Sequence, residues 1–190
     1  MAKGGEYERE ICKLLSKWWT FGDRDDVFWR TSNSGGRATV RKQQGKDTFG
    51  QTGDVQATDP IGQPLIDLCN IELKRGYSAD NFQVLIDKPN KAALQTYEQF
   101  ISQAKNDAIK GHSKHWMLII KRNRKKSLVY IPTLFFKELK LIQPALKTIC
   151  PLFFLRFQTH DKKVIGVYGS TLDQFLSKIS PIDIKRIPII

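Results

Sequence analysis

The stretch Gly53-Asp54-Val55, followed after a spacer by Ile71-Glu72-Leu73-Lys74, decides how this chain is read. In both strings acidic groups sit inside apolar, β-prone runs, where a charge is unfavourable unless something there needs it. Side chains alternate faces along a strand, so Glu72 and Lys74 point one way and Leu73 the other. Turn chemistry at Asp59-Pro60-Ile61-Gly62 predicts a hairpin of strands over 54–58 and 65–75, which carries Asp54 to Glu72 and Lys74. A strand-to-strand salt bridge is the purely structural reading of these three residues. The other reading is a pocket for a hard cation and a water.

Ahead of these strands, residues 6–20 predict an amphipathic helix with Tyr7, Ile11, Leu14, Leu15 and Trp18 on its apolar stripe. Glu6, Arg9, Glu10, Lys13 and Lys17 fall on the opposite side. Glu8 does not: it lies within the apolar arc, between Ile11, Leu15 and Trp19, and there it needs either a basic partner or a metal site. A short strand over 26–31 follows, with Val27 and Trp29 alternating against Phe28 and Arg30. Residues 32–52 are polar and basic, carrying Ser34, Arg37, Arg41, Lys42 and Lys46. Such a segment is either a solvated linker or an arm that neutralises phosphates beside a catalytic pocket.

Beyond Lys74 and Arg75 comes a polar loop over 76–91, with a short strand or turn open at 82–86. A second helix is expected over 92–110, with Leu94, Tyr97, Phe100, Ile101, Ala104 and Ala108 inward, Gln103 at the stripe's edge and Gly111 as terminator. Strands over 116–121 and 127–131 make a hairpin whose tip, Arg122-Asn123-Arg124-Lys125-Lys126, is either a solvated turn or a phosphate contact. The C-terminal third predicts a helix after Pro132, strands over 152–157 and 164–168, and a short helix over 172–179; Pro188-Ile189-Ile190 is apolar enough to pack on the domain or on a second subunit.

Composition bounds the function. The 190 residues suit one domain, or one domain with an added lobe, and 41% hydrophobic with 11% aromatic content supports a core. A formal charge of +12 and a pI of about 9.7 favour a polyanionic partner. Cys12, Cys69 and Cys150 are far apart in apolar surroundings and read as reduced core thiols of a cytoplasmic protein. His112, His115 and His160 read as surface residues, and nothing in the sequence suggests a signal region, a membrane span or an organic cofactor.

Phosphodiester hydrolysis needs an activated water, stabilisation of a phosphorane-like charge and help for the leaving oxygen. Asp54 and Glu72 are natural magnesium ligands, the Leu73 carbonyl adds a third oxygen, and Lys74 orients the water or neutralises developing charge. On these residues the chain resembles the PD-(D/E)xK nuclease superfamily, in particular its Holliday-junction-resolvase and phage endonuclease branch. The matching positions are Lys3-Gly4-Gly5-Glu6-Tyr7-Glu8-Arg9, similar to a K-G-x-x-x-E-R opening, then Gly53-Asp54-Val55 and Glu72-Leu73-Lys74. Gly53 stands where the literal motif has proline, and the spacer to Glu72 is slightly longer than in minimal resolvases. The resemblance covers about residues 3–131. It implies that Glu8 is the first helix's acidic residue, in or near the metal shell. It matches Ser34 to the resolvases' serine and Gln103 to the glutamine on the helix after the ExK strand. It further implies an α/β/α sandwich around a mixed sheet, dependence on magnesium or manganese, a DNA substrate and often a homodimer. Arg37, Arg41, Lys42, Lys46, Arg75, Arg122 and Arg124 are the expected DNA contacts, with residues 132–190 an extension packed on the core.

Overall fold

A computed structural model of the protein describes residues 3–31, 52–77, 96–158 and 162–189. Ser34, Arg37, Arg41, Lys42, Lys46, Leu94, His160 and the segment 82–86 lie outside the described residues.

Helix α1 spans Lys3–Trp19, with Glu6 in its first turn and Lys17 in its last, each complementing the helix dipole. Tyr7, Ile11, Leu15 and Trp19, four residues apart, form the buried stripe. Leu14, expected inward, is exposed, and Trp18 is half-buried, its indole N–H donating to the Leu176 and Ile179 carbonyls at 3.2 and 2.9 Å. Strand β1, Phe28–Arg30, follows. The expected alternation does not hold there: Val27 and Phe28 are both buried and only Trp29 turns outward. Val27 lies before the strand proper, and the buried Ser16 hydroxyl accepts the Phe28 N–H at 2.9 Å.

The expected hairpin is not formed. Strand β2, Val55–Ala57, pairs antiparallel with β1, and residues 65–68 are helical. The Asp59 carboxylate accepts the Ile61 N–H at the head of the 3₁₀ turn Pro60–Gly62. Helix α2, Gln63–Leu68, then starts with proline in its first turn, where the missing N–H costs nothing. Leu65 and Leu68, three apart, both reach the core, a helical rather than an alternating spacing.

The central sheet is built from β3 (Cys69–Gly76), β4 (His115–Arg122), β5 (Ser127–Pro132), β6 (Leu152–Gln158) and β7 (Val164–Thr171), in the order β3-β4-β5-β7-β6. β3 and β4 are parallel, connected through a segment that contains helix α3, Thr96–Lys110; the other pairs are antiparallel. Tyr97, Phe100, Ile101, Ala104 and Ala108 of α3 pack on one face, against Trp116, Leu118, Ile120 and Tyr130. The opposite face carries Ile71, Leu73, Met117, Ile119, Val129 and Ile131. It is covered by α1, by α4 (Thr133–Ile142) and by α5 (Leu172–Lys178). The result is the expected α/β/α sandwich. β6 and β7 of the C-terminal third extend the same sheet, and a last helix, α6 (Pro181–Lys185), closes with a capping box on Ser180 and Asp183.

Two further expectations are corrected. His115 is buried, not on the surface: its Nε2 lies 2.8 Å from Glu138 Oε2 and its ring stacks on Phe135 at 4.6 Å. Placed first on β4, it meets α4, a neighbour its lysine-rich local sequence does not announce. Cys150 is exposed; Cys12 and Cys69 are buried, and all three thiols are free.

The β1–β2 ribbon docks on the open edge of β3. The Thr31 N–H donates to the Asp54 carbonyl at 3.0 Å, the Thr31 hydroxyl to the Gly53 carbonyl at 3.0 Å, and the Asp54 N–H to the Ile71 carbonyl at 2.8 Å. Gly53 makes this approach possible. Its φ is +73°, and a Cβ there would lie 2.6 Å from Asn70 Oδ1 and 2.9 Å from the Ile71 carbonyl oxygen. Gly53→Ala should therefore cost about 2 kcal/mol or more, from left-handed strain and backbone crowding together. A thermal melt would read this as a Tm lowered by about 4–8 °C. Thr31→Val, which leaves the Gly53 carbonyl without its donor, should cost about 1–3 kcal/mol. A change under about 1 °C for Gly53→Ala would contradict this docking.

Candidate active site

β3 is buried from Cys69 to Leu73, and a strand covered on both faces is ordinarily apolar throughout. Asn70 and Glu72 break that rule, each only 2% exposed, on the face that also carries Lys74. Lys74 Nζ donates to Glu72 Oε1 at 2.6 Å, and Gln103 Nε2, from α3, donates to the same oxygen at 2.7 Å. Lys74 Nζ also donates to Gln103 Oε1 at 3.0 Å and stands 5.3 Å from the centre of the Phe100 ring. The three polar groups form a closed triangle over an aromatic floor.

Asp54 reaches the same place from the strand's edge. Its Oδ2 accepts the Leu73 N–H at 2.8 Å, and its own N–H is on the Ile71 carbonyl. Backbone groups of alternate residues point to the same side of a strand. The Leu73 carbonyl therefore faces the edge where Asp54 sits, as a third oxygen would have to.

The electrostatics follow from burial. Desolvation, offset in part by the Leu73 N–H and by Lys74, raises the Asp54 carboxyl above its usual range; Glu8 pushes it further, while a hydrogen bond with the adjoining Glu72 pulls it back. Glu72 is pushed up to about 8, first by burial and then by the Asp54 charge, against the pull of Lys74. Burial acts to lower the Lys74 pKa, but the charge and hydrogen bond of Glu72, with Asp54 behind them, outweigh it and leave it raised. Lys74 is thus an ammonium. The two carboxyls share more negative charge than one lysine neutralises, so a proton or a further cation must make up the difference.

That deficit and the all-oxygen donor set of Asp54, Glu72 and the Leu73 carbonyl fit a hard divalent ion. Among the described residues no three His, Cys, Asp or Glu side chains converge tightly enough to hold an ion alone. Backbone carbonyl and water oxygens would complete the shell, as magnesium tolerates.

Glu8 has the basic partner that its place on α1 required: Arg30 Nε lies 3.2 Å from Glu8 Oε2. Its charge still acts on Asp54 and on Cys12, whose thiol is pushed up to about 12 chiefly by burial. Arg75 turns to the other side of the sheet, with Nη1 3.7 Å from Glu6 Oε2. Arg122 and Arg124 stand at the β4–β5 turn.

Sequence reading missed two residues here. Thr31 fixes the Gly53-Asp54 backbone across more than twenty positions, and no local pattern signals that. Asn70 could have been found by stepping two residues back from Glu72. Its Nδ2 is buried without a hydrogen-bond partner among the described residues, and its Oδ1 lies against Gly53.

No helix among the described residues is long and apolar enough to cross a membrane. No curated protein and no solved structure shows a significant match to the chain. A family model described as "Phage putative PDDEXK endonuclease" matches residues 1–186, the C-terminal third included. With the five-stranded mixed sheet between helices, this gives a restriction-endonuclease-like fold. The chain belongs to this PD-(D/E)xK phage endonuclease family.

Proposed function

We propose that the protein is a metal-dependent endodeoxyribonuclease whose catalytic residues are Asp54, Glu72 and Lys74, with Gln103 positioning Glu72 and Lys74 and Glu8 in or near the metal shell. The convergence of Asp54, from the edge of β3, with Glu72 and Lys74, from its face, carries this reading. A non-catalytic basic binding module would gain nothing from two buried carboxyls, each costly to desolvate.

Asp54, Glu72 and the Leu73 carbonyl would hold magnesium, with manganese as a substitute. When bound, such an ion supplies Lewis-acid stabilisation of the phosphoryl oxygens and a water of lowered pKa. The chain's own residues do the rest. The Leu73 N–H orients Asp54, and Gln103 fixes the Glu72 oxygen that it shares with Lys74. Lys74, held as an ammonium, cannot take a proton from water; it donates to the phosphoryl oxygen as charge develops.

The resolvase-like opening around Glu8 supports branched DNA as substrate and action as a homodimer; a duplex-cutting or nicking enzyme would use the same pocket. The free thiols fit a reducing, cytoplasmic setting. Residues 1–190 are taken as one catalytic domain, because β6 and β7 complete the sheet that carries Glu72. In this reading Ser34, Arg37, Arg41, Lys42 and Lys46 contribute to DNA binding.

Cleavage of junction, flap, duplex and single-stranded DNA with magnesium tests the proposal. Asp54→Asn and Lys74→Ala should each lower the rate by at least about 100-fold while DNA binding persists. Undiminished cleavage by either variant would remove that residue from the mechanism, and preferential cutting of duplex would favour the restriction-like alternative.

Glu72 also makes a prediction for pH. Its folded-state pKa of about 8 lies above the ordinary 4.5, so between those values the native state binds more protons than the unfolded chain. Metal-free protein should therefore lose stability as pH rises through that window. Glu72→Gln should flatten this part of the slope, measured as the Tm difference across the window in chelator. Magnesium added near the upper end should raise the Tm of the native chain but not of the variant.

A further inference from the structure

Strand parity sorts the cations at one end of the sheet into two sets. Lys74 pairs with Ile120, Arg75 with Lys121, and Gly76 with Arg122. Side chains alternate, so Arg75 and Lys121 turn towards α1, and both are engaged there. Arg75 meets Glu6, Lys121 Nζ lies 2.9 Å from Glu10 Oε1, and the two cations lie 5.8 and 5.5 Å from the centre of the Tyr7 ring.

Arg122 falls on the other face, with Ile120, Lys74 and Glu72. It opens the turn Arg122-Asn123-Arg124-Lys125-Lys126, closed by the Lys125 N–H on the Arg122 carbonyl at 3.1 Å and by a left-handed Arg124 with φ 59°. Arg124, Lys125 and Lys126 are exposed. Among the described residues none of the four cations has a carboxylate at ion-pair distance. Four positive charges within five residues repel one another, and a polyanion relieves that repulsion. With strands rising about 3.3 Å per residue and lying about 4.8 Å apart, Arg122 stands about 8 Å from Lys74. Measured along the helix axis, one DNA strand advances by about two nucleotides over that distance.

We propose that the β4–β5 turn is a DNA-backbone clamp: Arg122, Arg124, Lys125 and Lys126 grip phosphates about two or more nucleotides from the one being cut. Arg75 and Lys121 belong instead to the packing of α1. Only the position of the cut rests on the nuclease reading above; the grip itself needs no hydrolysis.

Binding of a short DNA duplex, followed by fluorescence anisotropy over a salt series, tests the clamp. The measurement is made in chelator and in a Glu72→Gln background, so that nothing is cut. Each lost phosphate contact lowers the slope of log affinity against log salt by about 0.9. The combined variant Arg122→Gln, Arg124→Asn, Lys125→Gln, Lys126→Gln should lose about 3–4 from that slope and at least about tenfold in affinity. Arg124→Asn alone, safe for the fold because asparagine accepts a left-handed turn, should lose about 0.9. Lys121→Gln, and the combined Lys137→Gln, Lys140→Gln, Lys147→Gln at exposed sites elsewhere, should leave the slope in place. An unchanged slope in the turn variants, or an equal loss in the three-lysine comparison, overturns the clamp even if magnesium-dependent cleavage is observed. A reduced slope confined to the turn variants supports it, even in a chain that cleaves nothing.

Discussion

Everything at the site depends on one docking event, the closure of the edge of β3 by the Gly53-Asp54 backbone. An open strand edge presents unpaired N–H and C=O groups. Here Asp54 occupies two of them, giving its own N–H to the Ile71 carbonyl and taking the Leu73 N–H on its carboxylate. The same contacts that satisfy the edge bring a second carboxyl up to Glu72. Burying carboxyls is unfavourable: desolvation raises both Asp54 and Glu72, and the Asp54 charge pushes Glu72 further up, while a hydrogen bond with Glu72 pulls Asp54 back. Lys74 and Gln103 relieve part of this cost. What they leave is a demand for positive charge, met by a proton or by a metal ion.

Which side chains share a face was more legible in the sequence than the path that brings them together. Period-two alternation placed Glu72 and Lys74 on one face, and helical spacing placed Gln103 at the edge of the α3 stripe, both as found. The hairpin expected between Asp54 and Glu72 failed because an apolar run as short as Leu65–Leu68 fits a strand or a single helical turn equally well. Proline at the start of the run and the caps around it decided for helix. Asp54 arrives beside β3 all the same, since its ribbon docks on that strand from the other side. His115 escaped for a related reason: its burial is made by Phe135 and Glu138, residues of a helix that no local pattern connects to it.

The net charge of +12 is a poor guide to where a polyanion would lie. On α1, Glu6 and Glu10 answer Arg75 and Lys121, so that side of the sheet is locally compensated. No such carboxylates meet the β4–β5 turn among the described residues. Strand parity separates Lys121 from Arg122, because a shift of one position sends a side chain to the opposite face, while Arg124, Lys125 and Lys126 lie in the turn beyond the strand ends.

Edge docking explains why glycine, not proline, precedes Asp54. Proline fixes φ near −65°, whereas Gly53 sits at +73° with its α-carbon pressed towards Asn70 and the Ile71 carbonyl. A proline there would turn the chain away from β3 before Asp54 could reach the Leu73 N–H. The rigidity that proline would lend comes instead from Thr31, whose N–H and hydroxyl hold the Asp54 and Gly53 carbonyls. The departure from the literal motif is thus a different way of holding the same aspartate: a left-handed glycine for access, and a threonine from the neighbouring strand for stiffness.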